Sequence, residues 1–265
     1  MPPANNNPNS EPFEIFFRGW LVRHEEVRLL LQQADERDCD ETREDEEARV
    51  QELIGRVVAH YAEYYKAKQR VVREDVMTLF EPPWLTSFER SLLWIAGFMP
   101  GFAFRLVMNY VKDLNGEQTR MMEQLKTETA AEEIDLTAEL VKVKRSPTMI
   151  SLVEMETRGR EWADGERDAV KEQIEMVKLA MEMLVECADC LRYKTALKIM
   201  EILNPSQNVK FLLAITGLQL RVRNWGLQRE AESRNDNSPT REAAFNFIFI
   251  LWYRVTLSLY MPIIV

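Results

Sequence analysis

The sequence predicts an all-α protein, a helical bundle with long antiparallel helices, one of about 40 residues. Three observations predict it. Glycine is scarce, at 9 in 265 residues, while Leu, Met, Glu and Arg recur throughout. That favours helix and leaves few turn residues for a many-stranded sheet. Apolar residues recur in steps of three and four along most of the chain, and no strand pattern occurs before residue 245.

Residues 1–12 are rich in Pro and Asn and are expected to be a disordered N-terminus. A helix starts near Phe13, its stripe reading Phe13, Phe17, Trp20, His24, Val27 and Leu31. The acidic run that follows reads as a solvated loop or a frayed helix end. A second helix is expected from Asp45 to Val72, with Val50, Leu53, Val57, Tyr61, Tyr64 and Lys68 on one side. Pro82 and Pro83 interrupt any helix, because proline lacks the amide donor and clashes with the preceding turn. Thr86 then offers a capping box with Glu89, which starts a helix expected to carry Trp94. Gly97 and Pro100 close that helix, and the next is expected from Gly101 to Leu114.

Asn115-Gly116 reads as a turn, followed by a helix of mixed charge up to Arg145 that ends at Ser146-Pro147. The longest element is expected from Arg160 to Leu203. Val170, Ile174, Val177, Met181, Leu184, Ala188, Leu191, Thr195 and Ile202 follow a seven-residue spacing there. Such a seam packs against neighbouring helices or against a second copy of the chain, a homodimer. Asn204, Pro205 and Gln207 combine a cap residue, Pro at the first helical position and Gln at the third, opening a last helix to Glu230. One domain over 13–230 is therefore expected, then a polar linker over 231–244 and a hydrophobic tail over 245–265.

Composition bounds the function. The 46% hydrophobic and 29% charged content is that of a soluble globular chain. Of the net charge of −9, −7 falls between Asp35 and Glu47, where nine acidic residues face only Arg37 and Arg43. The rest is near neutral and has no basic block, so direct nucleic-acid binding is not expected. Three cysteines make no disulfide framework and no signal peptide opens the chain, which points to a reducing, intracellular compartment.

No motif in the sequence points to an enzyme, a metal or a cofactor. Cys187-x-x-Cys190 has redox or metal spacing, but it lacks two further ligands and a βαβ setting, so core or near-core packing is the expected role. His24 and His60 fall on or beside apolar stripes and read as buried, hydrogen-bonded histidines. Their alternative is a ligand pair for haem or a metal. Carboxylates read as solvated runs rather than a catalytic pair, and there is no Gly-rich phosphate loop.

The densest signal lies in residues 60–106, where ten aromatics from Tyr61 to Phe104 build a core. The segment resembles the plant delay-of-germination domain, which is also the C-terminal half of TGA-type bZIP transcription factors. The resemblance rests on Tyr64-Tyr65, Asp75-Val76, the PPW-x-x-SFE run at 82–89 and the W-x-x-G-F-x-P run at 94–100. Phe16-Phe17 and Trp20-Leu21 are similar to that family's opening. A second block follows in order: A-D-x-L-R at 188–192, I-L-x-P-x-Q at 202–207, F-L-x-A at 211–214 and Trp225-Gly226.

The resemblance implies an all-helical, non-enzymatic regulatory adaptor acting in transcription and dormancy-type signalling. Its partners would be bZIP transcription factors or type 2C protein phosphatases. Residues 1–12 hold no basic region and zipper of the TGA kind, so a stand-alone member is expected. Candidate partner-binding residues are Trp84, Phe88, Trp94 and Phe98, with Arg221, Arg223 and Trp225 from the last, basic amphipathic helix. Two other readings stay open: a haem or apolar-ligand sensor on His24, His60 and the aromatic block, and a membrane-tethered scaffold. Residues 245–265 are long enough to span a bilayer, but Arg254 offsets about 3 kcal/mol of their insertion energy. Docking on the body and an unfolded end are the alternatives for that tail.

Overall fold

The computed structural model describes residues 12–36, 43–147 and 164–235. Among them the chain forms seven α-helices, one 3₁₀ turn and no strand. Helix α1 (Phe13–Glu36) runs antiparallel to α2 (Arg43–Asp75) and buries Phe17, Trp20, His24 and Leu31, as its stripe predicts. Asp75 caps the 3₁₀ turn Val76–Leu79 by accepting from the Met77 amide, 3.0 Å away. Helix α3 (Ser87–Ser91) opens on the expected capping box. The Glu89 amide donates to Thr86 Oγ1 and the Thr86 amide to Glu89 Oε2, at 3.2 and 2.7 Å.

Helix α4 (Phe102–Tyr110) leads to α5 (Gly116–Lys144), whose cap is a second box between Asn115 and Gln118. Asn115-Gly116 is thus a helix start rather than a free turn. Helix α6 (Asp164–Ile202) has 39 residues and lies antiparallel to α5, with Lys194 on Glu132 and Lys198 on Glu128. Helix α7 (Pro205–Asn235) starts at the predicted cap, Asn204 and Gln207 exchanging bonds of 3.0 and 2.9 Å. Residues up to Gly226 form one compact unit. From Leu227 the chain belongs to a second, whose described portion is the end of α7 with Gln228 bonded to Glu232.

The core of the first unit has three levels along the helices. One end is apolar, with Leu31, Val57, Phe104, Val107, Ile199 and Phe211. The other is apolar too, with Val72, Val76, Leu79, Ile95, Met181 and Val185. At the sequence positions between them sit buried polar groups: His60 and Lys68 on α2, Thr129 and Glu133 on α5 and Thr195 on α6. A polar level of this kind penalises any slip of one helix past another, because a shifted polar group would meet an apolar neighbour without a partner.

Several expectations are corrected. The helix capped by Thr86 ends at Ser91, so Trp94 stands on a loop, not a helix. Ile95 and Ala96 there take φ of 41° and 56°, the left-handed region that breaks a right-handed helix. Helix α4 is shorter than 101–114, since Val111 is extended. Cys187 and Cys190 are exposed rather than in the core. Residues 231–235 continue α7 instead of opening the linker. The seam of α6 is buried from Met181 to Thr195 but exposed at Ile174. No helix among the described residues is long and apolar enough to cross a membrane. Residues 1–11, residues 37–42 of the acidic run, the linker from 236 and the tail over 245–265 lie outside the described residues.

Candidate partner-binding surface

The seven residues singled out by sequence fall into three groups. Trp84, Phe88, Arg223 and Trp225 come together where α3 meets α1 and α7. The Trp84 ring packs on Phe13 at 4.5 Å, and Phe88 meets Trp225 edge-on at 6.5 Å. Arg223 donates to Glu89 Oε2 and to the Trp84 carbonyl, at 3.2 and 3.3 Å, and lies over the Phe17 ring. Glu89 is buried, so its carboxylate does two jobs: it closes the α3 cap and holds Arg223. Gly226 allows the approach, because a Cβ there would lie 2.0 Å from Thr86 Oγ1. Trp225 itself is 53% exposed.

Trp94 and Phe98 form the second group, on the loop before α4. Arg192 of α6 donates to the carbonyls of Trp94, Ile95 and Phe98, the last from Nε at 2.7 Å, and lies over the Trp94 ring. Behind it, Asp189 accepts from both Arg192 and Lys68, the latter at 2.7 Å. Lys68 is only 2% exposed, and burial lowers its pKa to about 8 despite Asp189. On the far side of the loop the Gly101 amide donates to buried Glu133 at 2.6 Å. Burial raises that carboxyl to about 7, the amide opposing. Trp94 Nε1 donates to Thr137 at 2.9 Å. The loop is therefore fixed from α5 and α6, with Lys68 of α2 bonded to Asp189 behind Arg192. Arg221, the remaining candidate, is exposed and reaches the Tyr110 hydroxyl at 3.3 Å.

His24 and His60 are buried as expected and bond to each other, Nδ1 to Nε2, at 3.1 Å. Trp20 stacks on both rings and donates to the His60 carbonyl at 3.0 Å. Desolvation, then mutual repulsion, lowers His24 to about 3, while Gln219 favours its charged form. Desolvation and then Arg23 lower His60 to about 4. Both rings are neutral at pH 7. A haem iron or metal between them would have to push apart rings that are already in contact. Among the described residues no three His, Cys, Asp or Glu side chains gather as a metal site.

Sequence reasoning missed Glu133, and it read Glu89 only as a cap and Lys68 only as a member of a stripe. Asp189 and Arg192 had a signal, since they are the D and R of the A-D-x-L-R block. The two signature blocks meet in space: Arg192 holds 94–98 and Arg223 holds 84–89.

The chain is 34% identical to Protein ZW2 of Arabidopsis thaliana over 225 residues, covering 83% of this chain and 98% of that protein. The profile of the family described as seed dormancy control, DOG1, matches residues 26–109. The chain belongs to the DOG1 family. Protein DOG1-like 4 of Arabidopsis thaliana is 30% identical over 83% of this chain and 94% of its own length. Transcription factor TGA3 from the same plant is 28% identical over 81% of this chain and 53% of its own length. The DOG1 family and the TGA factors related to it are regulatory proteins, which is the resemblance read from the sequence. The profile ends at Asn109, so it contains the aromatic segment but neither Arg192 nor Arg223. The likeness to ZW2 extends much further along the chain.

Proposed function

We propose that this chain is a non-enzymatic adaptor of the nucleus and cytoplasm, regulating transcription and dormancy-type signalling by docking other proteins. The observation that supports the reading is the fixed presentation of large aromatics. Trp84, Phe88, Trp94 and Phe98 are each partly exposed, yet the carbonyls of Trp84, Trp94 and Phe98 are held by half-buried arginines and that of Phe88 by the Ser91 hydroxyl. Rigid aromatics at a surface lose little entropy when a partner covers them, which makes them the usual anchors of protein contacts. The partners would be bZIP transcription factors or type 2C protein phosphatases, with a second copy of the chain as a further contact.

Affinity capture from plant nuclear and cytosolic extract, with the full chain as bait and mass spectrometry as readout, tests the reading. Recovery of either class, reduced at least roughly tenfold by the Phe88→Ala, Trp225→Ala double variant, is the expected result. Recovery of neither class by the wild-type chain overturns it.

A further inference from the structure

Helix α6 carries two apolar stripes, and only one is buried. The inner stripe, from Met181 through Leu191 to Ile199, packs into the core. The outer one runs through Met176, Leu179, Met183, Cys187 and Cys190, in steps of three, four, four and three, and ends beside exposed Tyr193. Met176 and Met183 are each 66% exposed and Leu179 59%. An apolar row of this length is unusual on a solvated helix and marks a contact surface. Methionine suits such a surface, because its flexible, polarisable side chain adapts to the partner's shape.

The flank of the row is acidic. Glu172, Glu175, Glu182 and Glu186 lie along it. Lys178 and Glu175 cancel each other at 3.1 Å and Lys194 is taken by Glu132 of α5 at 2.6 Å, which leaves Glu172, Glu182 and Glu186 against Lys171. An identical face would bring Glu182 and Glu186 against like charge. A cationic partner would relieve it.

From this we infer that the outer face of α6 binds a basic amphipathic helix of a partner protein, through Met176, Leu179, Met183, Cys187 and Cys190. The row from 176 to 193 spans about 26 Å, so the partner helix has about five turns. Its apolar side chains recur every three or four residues, and Lys or Arg flank them opposite Glu182 and Glu186. The inference goes beyond the aromatic surface and rests on the adaptor reading in one respect: an adaptor needs a second contact. The two exposed thiols sit in the row and report on its coverage directly.

The test uses the full chain and three synthetic peptides of about 18 residues: a Leu/Lys amphipathic helix, a Leu/Glu helix and a Leu/Lys peptide of scrambled order. Alkylation of Cys187 and Cys190 by N-ethylmaleimide is followed site by site by mass spectrometry. The Leu/Lys helix at about 100 μM is expected to slow both sites roughly tenfold, and the other two peptides not. The exposed substitutions L179K and M183K, which leave the inner stripe intact, are expected to abolish the protection. No protection, equal protection by the scrambled or acidic peptide, or protection surviving L179K and M183K overturns the inference. These arms need no natural partner, so an adaptor reading that fails in extract leaves them decisive. Conversely, unprotected thiols beside successful capture would sink the α6 surface alone.

Discussion

A methyl group on Gly97 would lie 2.7 Å from the guanidinium carbon of Arg192. The guanidinium has nowhere to retreat, since it is bound to three loop carbonyls and to Asp189. The glycine of one signature block and the arginine of the other thus form one joint. Its use is to hold Ile95 and Ala96 in left-handed backbone, which costs about 1–3 kcal/mol per residue for non-glycine side chains.

Gly97→Ala is therefore expected to destabilise the fold by about 2–4 kcal/mol, by displacing Arg192 and stranding the carbonyls it serves. Gly55→Ala supplies the contrast. Gly55 is an exposed residue within α2 with nothing within 4 Å of an added Cβ, so the same substitution is expected to stabilise by about 0.5–1 kcal/mol. Urea denaturation of both variants checks the pair. Equal effects would mean that Arg192 is not the constraint.

The Lys68–Asp189–Arg192 group is asymmetric, and its variants should show it. Asp189→Asn leaves two buried cations beside each other and is expected to cost about 3–5 kcal/mol. Lys68→Met leaves Asp189 still paired with Arg192 and fills the site with a chain of similar length, so a loss of about 1 kcal/mol or less is expected. Chemical denaturation at pH 7 decides the order. A larger loss from Lys68→Met would contradict the assignment of Asp189 as the centre of the group.

Much of this was legible in the sequence. The steps of three and four located α1, α2 and the seam of α6, and the Thr86/Glu89 and Asn204/Gln207 pairs gave two helix starts to the residue. Trp94 was misplaced for a physical reason. Ile95 and Ala96 carry no local signal for positive φ, which is imposed by Arg192 nearly a hundred residues later in the chain. The exposure of Cys187 and Cys190 was available in principle, because a seam through Ala188 and Leu191 turns both cysteines outward on a 3.6-residue helix. Glu133 was not readable: a glutamate in a mixed-charge helix looks solvated until Gly101 is known to lie against it.

The neutral histidine pair makes stability fall in acid. The unfolded chain protonates both imidazoles below about 6.5, whereas the folded one does so only near 4 at His60 and 3 at His24. Stability is therefore lost as pH falls from 6.5. Glu133 acts in the opposite sense: its carboxyl, raised from 4.5 to about 7, takes up a proton first in the folded chain and adds stability as pH falls from 7 to 4.5. Two histidines outweigh one glutamate between 6.5 and 4.5, and below 4.5 the glutamate no longer offsets them. Denaturation midpoints from pH 7 to 4 should fall in the wild type and fall less steeply in His24→Gln, His60→Gln. Parallel profiles would show that other groups carry the acid sensitivity.

The central claim is that the two signature blocks hold two sets of exposed aromatics, around Trp84 and around Trp94, ready for a protein partner. Hydrogen–deuterium exchange of the full chain, alone and bound to a captured bZIP factor or phosphatase, tests it most directly. The account predicts slow exchange of the Trp94, Gly97 and Gly101 amides already in the free chain, because the first two bond each other's carbonyls and the third bonds Glu133, and added protection on binding over 84–98 and around Trp225. Fast exchange of those amides in the free chain, or a bound complex that leaves 84–98 unprotected, would contradict it.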